Sequence, residues 1–466
     1  MQKGVYDIII MNKAEKKEFY RKLLRLVVPM AFQQLMLALV GVSDAVMMGF
    51  LNQDALSAVS LATQVMFVFT LFEFALTSGV SIFAAQYWGI QDKDSIEKIL
   101  GIGLKYTVLV SLPFMFGAIF TPELMMKAFA SDPILIEYGA IYLRYVGLSY
   151  LLLAISQVYL TIMKNCEKAG TCALISAVSV VINIVFNALL IFGIGPFPEL
   201  GVAGAAIATV LSKLVETVWA MIVMFMPGSV KIRLKYVLRS DKVLVKDFWK
   251  YTLPLFGNQL GWGLGFTMYS VIMGHLGSDA AAANSIANII KNLSICVCTG
   301  VAIASSVMVG ALLGQGKRDL AKAYGKLLLK IAIITGVIAG VIVLCVVPFV
   351  PMFSSLTDTA QGYLKVMLLV CSYYVAGKSV NMTVVAGIFP AGGDSKFGCI
   401  CDIVTMWAVT VPIGLVAAFI LKLPVLWVYI LINTDEIIKL PAVFWNFGKY
   451  KWLKNLTRTG GKLSEE

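Results

Sequence analysis

The chain has 466 residues; 59% are hydrophobic, only 14% are charged, and the mean hydropathy is +0.86. That balance excludes a soluble globule of this size, which needs far more polar surface. The formal net charge of +12 does not point to a nucleic-acid partner, because the basic residues cluster in alternate loops between apolar runs, the pattern of a membrane protein.

The chain opens with an expected cytosolic tail, residues 1–22. Its apolar stretch 5–10 is interrupted by Asp7 and followed by the basic run Lys13 to Arg25, which does not form a cleavable signal peptide. Twelve candidate spans follow, at about 23–49, 56–84, 98–120, 135–161, 170–193, 200–226, 247–274, 281–310, 322–348, 360–388, 396–421 and 424–446. Each is near the length that crosses a bilayer core of about 30 Å. In lipid the backbone must satisfy its own hydrogen bonds, so the spans are expected to be helices. The short alternating segments of a membrane barrel are not seen.

Polar groups inside such spans are costly and become the functional candidates. Span 1 carries Gln34 and, near its outer end, Asp44, with no basic residue close to it in the same helix. A lone carboxylate there is a site for a proton, or for Na⁺ if other oxygens converge on it; a structural hydrogen-bonded carboxyl is the alternative. Span 2 carries Glu73 and span 4 Arg144. Span 5 carries Asn183 and Asn187, whose i, i+4 spacing puts both amides on one helix face. Thr209 lies in span 6 among small residues, where close helix packing would also explain it. Lys213 and Glu216, three apart in that span, are placed to neutralise each other. The second half adds Gln259, Lys291, Lys378, Asp435 and Glu436. The eight cysteines lie mostly in apolar spans and read as small core residues.

The basic loops fix an orientation with both termini in the cytosol. The longest inner loop, with Lys231, Arg233, Lys235, Arg239, Lys242 and Lys246, is a linker at 227–246. It separates an N-lobe, 23–226, from a C-lobe, 247–446, before a basic tail at 447–466. Residues 47–62 and 272–287 match at eight of sixteen positions, all displaced by 225 residues, and the same displacement carries Pro29 to Pro254, Gln34 to Gln259 and Gly89 to Gly314. The expected architecture is therefore an all-α membrane protein of twelve transmembrane helices. They form two six-helix bundles related by a pseudo-twofold axis along the membrane normal. At that displacement Asp44 meets Tyr269, so one half alone carries this acid.

No catalytic constellation is visible. The phosphate-loop pattern G-x-x-x-x-G-K-[ST] is absent, and His275 is the only histidine. The chain is expected not to be an enzyme and to need no cofactor; energy would come from an ion gradient.

These features together resemble the multidrug and toxic compound extrusion (MATE) family over residues 20–456. The resemblance rests on PMAFQQLMLALVGVSDAVMMGFL in span 1, its echo LPLFGNQLGWGLGFTMYSVIMGHLG in span 7, and GIFPAGGDSKFG after span 10. In the last segment Pro390 stands where the family has Arg. The resemblance implies a bacterial cell-membrane antiporter that exports small amphipathic, often cationic organic compounds in exchange for H⁺ or Na⁺, usually as a monomer. It implies a coupling-ion site at Asp44, Asn183, Asn187 and Thr209, with any metal there being Na⁺. Asn187 falls where many prokaryotic members have a second aspartate. Trp262 stands where one branch has an acidic residue in span 7, which favours the N-lobe site here. Gln34, Glu73, Gln259 and Lys378 are candidates for a central substrate cavity. A lipid-linked oligosaccharide flippase of the same wider superfamily is the alternative, with Arg144, Lys213, Lys291 and Lys378 as its headgroup cations. A non-transporting membrane scaffold is a further one.

Overall fold

The computed structural model describes residues 12–352, 356–459 and 462–463; residues 1–11 of the expected N-terminal tail, and 460–461 and 464–466 of the C-terminal one, lie outside them. The first half contributes helices α1 (Lys13–Leu51), α2 (Gln53–Gly89), α3 (Lys93–Phe120), the short α4 (Pro122–Lys127), α5 (Pro133–Asn165), α6 (Ala169–Phe192) and α7 (Gly201–Met224). A short α8 (Leu234–Leu238) lies in the linker. The second half contains α9 (Lys242–His275), α10 (Ser278–Ser294), α11 (Cys296–Gly314), α12 (Arg318–Val346), α13 (Asp358–Asn381), α14 (Phe389–Ala391), α15 (Ser395–Ile403), α16 (Val411–Leu415), α17 (Val425–Ile432), α18 (Asp435–Ile438) and α19 (Leu440–Gly448).

Ten helices among the described residues are long and apolar enough to cross a membrane. The two expected spans missing from that group have physical reasons. Span 7 lies in α9, whose uncharged part after Lys250 is made less apolar by Asn258, Gln259 and the glycines Gly257, Gly261, Gly263 and Gly265. Span 12 is divided into α17, α18 and α19 around Asp435, Glu436 and Lys439.

Sidedness is inverted relative to a soluble protein. On α12 the large branched residues Ile334, Val337, Ile338, Val341 and Ile342 are exposed, while Gly336, Ala339 and Gly340 are buried. A Cβ on Gly340 would lie 2.5 Å from the Ser372 carbonyl of α13, and one on Gly336 would lie 2.9 Å from the Ala376 carbonyl. Between helices in lipid, association comes from such close backbone approach rather than from the hydrophobic effect.

The halves differ in regularity. The long helices of the first half run unbroken, even through Pro29 and Pro113. In the second half, span 8 breaks at Ile295 between α10 and α11. Spans 10 and 11 contain π-helical stretches, Met382–Ile388 and Val404–Thr410. Each precedes a proline, Pro390 and Pro412. A proline ring clashes with the carbonyl four residues earlier, and a wider turn relieves that clash.

Two compact units emerge from the packing. One comprises Phe32–Ser81 and Lys93–Leu264; the other comprises the described part of Met1–Ala31, with Ile82–Asp92 and Gly265–Glu466. In the second unit the sequence duplication becomes geometry. A Cβ on Gly89 would lie 2.1 Å from the Ala311 carbonyl, and one on Gly314 would lie 2.0 Å from the Gln86 carbonyl. Gly89 and Gly314 are mates at the 225-residue displacement, and so are Gln86 and Ala311. The ends of α2 and α11 therefore cross reciprocally, each glycine admitting the other helix's backbone. Gln86 adds a fastening: its Nε2 donates to the Ala391 carbonyl at 2.7 Å, and its Oε1 accepts from the Leu456 N–H at 2.6 Å.

Gly314→Ala should lower stability by about 1–3 kcal/mol through this backbone clash. Gly362→Ala, on α13 with nothing near its Cβ, should instead be neutral or gain up to about 1 kcal/mol of helix propensity. Thermal unfolding of both variants in detergent checks the contrast.

Candidate functional site

Asp44 lies in the last two turns of α1 and is half-buried. Asn187 of α6 is buried, and its Nδ2 donates to Asp44 Oδ1 at 2.5 Å. The same Nδ2 reaches Asn183 Oδ1 at 3.4 Å, and Asn183 Nδ2 reaches Thr209 Oγ1 of α7 at 3.5 Å. Thr209 Oγ1 donates in turn to the Ala205 carbonyl at 3.0 Å. All four residues expected at the coupling site are thus brought into one hydrogen-bonded chain across three helices.

Close packing sets their positions. A Cβ on Gly204 of α7 would lie 2.5 Å from the Leu190 carbonyl of α6. Ser179 Oγ donates to the Ser212 carbonyl at 2.9 Å. The connection between these helices turns on Gly193 and Gly201, both with positive φ, where a side chain is disfavoured. On the other side, Gln33 Nε2 donates to Ser176 Oγ at 2.6 Å. Gln33 precedes Asp44 by the eleven residues that separate Ser176 from Asn187. Eleven residues are about three helical turns, so α1 and α6 run parallel and in register, fastened at two levels.

Two residues that sequence reasoning missed bear on the site, one by holding α1 against α6 three turns away and one by adding an oxygen. Gln33 is the buried glutamine, whereas Gln34, one step round the helix, is only half-buried; the eleven-residue spacing to Asp44 is the signal that separates them. Tyr142 of α5 is buried, with its hydroxyl at Thr209 and in the field of Asp44. No sequence feature marks it among 18 tyrosines. Oxygens from Asp44, Asn183, Asn187, Thr209 and Tyr142 therefore belong to one locus. Asn187 Oδ1 is buried there without a hydrogen-bond partner. Such a donor set suits a proton or a hard cation, which takes oxygen ligands.

The expected cavity residues are placed elsewhere. Gln34 lies ten residues, about 15 Å along α1, from Asp44. Gln259 of α9 is half-buried. Glu73 of α2 is buried and faces Lys164, Lys213 and Glu216. Lys213 and Glu216 pair at 2.9 Å, as their spacing predicts, and Ser156 and Gln157 also donate to Glu216. Lys378 belongs to a different cluster, 3.1 Å from Glu436. Arg144 is exposed and pairs at 2.8 Å with Glu123 of α4. Its long side chain carries the guanidinium away from its backbone position.

The MatE family model matches residues 29–189 and again 254–416, two segments whose starts are 225 residues apart. The chain belongs to the MATE family. It is accordingly a multi-pass membrane transporter and not an enzyme. The chain is similar to the probable multidrug resistance protein YoeA of Bacillus subtilis, with 24% identity over 91% of this chain and 92% of that one. It is also similar to the probable multidrug resistance protein NorM of Mesorhizobium japonicum, at 26% over 86% and 87%. Among solved structures, an outward-facing multidrug resistance MATE family transporter of the MOP superfamily superposes with a TM-score of 0.82 at 19% identity, covering 93% of this chain and 97% of that one. A MOP superfamily transporter from Pyrococcus furiosus gives 0.84 at 19%, covering 95% and 99%. The all-helical membrane fold expected from the sequence is the fold of these proteins.

Asn187→Ala should cost about 2 kcal/mol, because it removes the amide donor of a carboxylate in a water-poor site. Asn→Ala at the exposed Asn52, which caps α2, should cost about 1 kcal/mol, a smaller loss, in a detergent thermal melt.

Proposed function

We propose that this transporter exports amphipathic, often cationic organic compounds across a bacterial cell membrane in exchange for H⁺ or Na⁺, with Asp44 as the coupling carboxylate. The observation that carries the reading is the hydrogen bond from Asn187 to Asp44, at the head of a chain that ends on Thr209. The basic inner loops support an orientation with both termini in the cytosol.

The chain suggests how ion binding is transmitted. While Asp44 is ionised it only accepts, so Asn187 presents its amino group. A proton on Asp44 makes the carboxyl a donor, and Asn187 then serves best by turning its Oδ1 toward it. That rotation withdraws the donor from Asn183 Oδ1. Asn183 must turn as well, presenting its own oxygen to Thr209, whose hydroxyl proton then leaves the Ala205 carbonyl for it. A proton on α1 thereby rewires the contact between α6 and α7. Na⁺ would act similarly by drawing the amide oxygens onto itself. Either ion drives transport only by binding the two access states unequally.

The flippase reading is less well supported. Of its four cations, Arg144, Lys213 and Lys378 each pair with a carboxylate. That removes much of the net positive charge that a pyrophosphate headgroup needs.

Efflux of a fluorescent organic cation from proteoliposomes, under separately imposed Na⁺ and pH gradients, tests the proposal. Asp44→Asn should lower gradient-driven efflux at least about tenfold, equivalent to about 1.4 kcal/mol of lost coupling. Undiminished gradient-driven flux in that variant would move the coupling site elsewhere. Asn187→Asp, which adds a second carboxylate, should strengthen binding of Na⁺ relative to wild type, measured as Na⁺-dependent quenching of tryptophan fluorescence.

A further inference from the structure

The linker is fastened so that one face is held outward. Its α8 packs on α3, where a Cβ on Gly101 would lie 2.8 Å from the Tyr236 carbonyl carbon. The Tyr236 hydroxyl donates to Asp94 Oδ1 at 2.6 Å, and Arg233 pairs with Glu97 at 2.5 Å. Ser240 Oγ donates to the Tyr236 carbonyl at 3.2 Å. Asp241 Oδ1 accepts from the Val243 N–H at 2.9 Å and so caps the start of α9. Tyr236 and Val237 are half-buried on the protein side of α8.

The outward face carries two chemistries side by side. At about 100° per residue, Leu234 and Leu238 lie about 40° apart, with Lys235 and Arg239 next to them round the helix. Both leucines are 71% exposed, and both cations are exposed. The basic stripe continues on α9 with Lys242, Lys246 and Lys250, all exposed. The acids of this region are engaged elsewhere. Asp94 also binds Lys98 at 2.7 Å, Glu97 holds Arg233, Asp241 caps α9 and Asp247 is buried. Lys235, Arg239, Lys242 and Lys246 have no carboxylate partner among the described residues.

Two helices set the height of this face relative to the bilayer. On α3 the exposed Lys105 is followed on the same side by Leu109, Phe116 and Phe120, all exposed. On α9 the exposed Lys250 is followed by the exposed Leu253 and Leu264. Past these two lysines the outer surface of both helices is apolar, as contact with acyl chains requires. Gly101, where α8 docks, lies four residues to the polar side of Lys105, about 6 Å along the helix. A headgroup layer is roughly 5–7 Å thick. The linker helix therefore lies at headgroup depth, where a leucine face meets the acyl boundary and a basic face meets phosphates.

We propose that α8 and the first turns of α9 form a binding surface for anionic phospholipid. Lys235, Arg239, Lys242 and Lys246 hold the headgroup phosphates, and Leu234 and Leu238 rest against the acyl chains. Each such cation near a negative membrane surface contributes about fivefold in affinity. The linker is thereby moored to the leaflet on its own side, whichever ion or compound the transporter carries.

The test is displacement of a fluorescent phosphatidylglycerol from the purified full-length protein in neutral detergent. Unlabelled phosphatidylglycerol should displace it, whereas phosphatidylcholine and soluble glycerol phosphate should not. Lys235→Gln/Arg239→Gln/Lys242→Gln should weaken binding at least about tenfold. Leu234→Ser/Leu238→Ser, which leaves the charge unchanged, should weaken it as well. Taking three charges from the tail instead, in Lys449→Gln/Lys451→Gln/Lys454→Gln, should leave binding within about twofold of wild type. The substituted side chains are all exposed, so each variant should keep its thermal midpoint. Equal losses in the two triple variants would overturn the proposal in favour of unspecific charge attraction, and no loss in either would overturn it outright. Displacement by glycerol phosphate as effective as that by phosphatidylglycerol would make this a free-phosphate site and overturn it too. Asp44→Asn should bind the lipid as wild type does, so that loss of ion coupling and loss of lipid binding are read separately.

Discussion

Every backbone N–H and C=O in the bilayer core must find its partner within the protein, and this requirement organises the rest of the molecule. It makes helices of the spans and leaves side chains no part in deciding between helix and strand. Burial of apolar surface then cannot hold the helices together, since lipid is as apolar as leucine. Small residues take over: Gly336 and Gly340 on α12, Gly204 on α7, and Gly89 and Gly314 at the crossing of α2 and α11 all admit another backbone. Large branched residues face outward, where they meet acyl chains. In such a molecule the polar side chains are the informative ones, because each is kept at a cost.

The two halves keep their polar groups differently. The first half holds Asp44 on regular helices, joined by short amides and a hydroxyl, and keeps the buried Lys213–Glu216 pair apart from it. No ion pair between Asp44 and a lysine or arginine appears among the described residues. The second half concentrates three lysines and three acids where helices are interrupted. Interrupted segments have freed carbonyls and room to repack, whereas a regular helix offers only side chains. The duplicated scaffold therefore surrounds Asp44 with uncharged partners in one half and gathers a denser set of ion pairs in the other.

Much of this was legible in the sequence. Hydropathy located the helices, and a carboxylate in an apolar run singled out Asp44 as a candidate. The resemblance, not the residues alone, grouped Asn183, Asn187 and Thr209 with it, and the fold joins them end to end. The interruptions were less legible. Pro390 and Pro412 announce two of them, but nothing comparable marks Ile295. Gln33 and Gln34 are chemically identical neighbours, and only their phase on the helix decides which is buried. Tyr142 was invisible because a tyrosine in a membrane helix is unremarkable until its hydroxyl is placed.

The reciprocal crossing of Gly89 and Gly314 has the form of a contact between two identical molecules, in which patch i meets patch j and patch j meets patch i. A chain of half this length would make it with a second copy of itself, about a true twofold axis. Such a homodimer cannot put an acid on one side alone, because any change appears on both. Joining the copies end to end lifts that constraint while keeping the shared surface. Asp44 opposite Tyr269, and Asn187 opposite Pro412, are differences that only a fused chain can hold. The glycine pair thus keeps the form of a self-complementary seam, and the covalent linker is what allows the chemistry around it to be asymmetric.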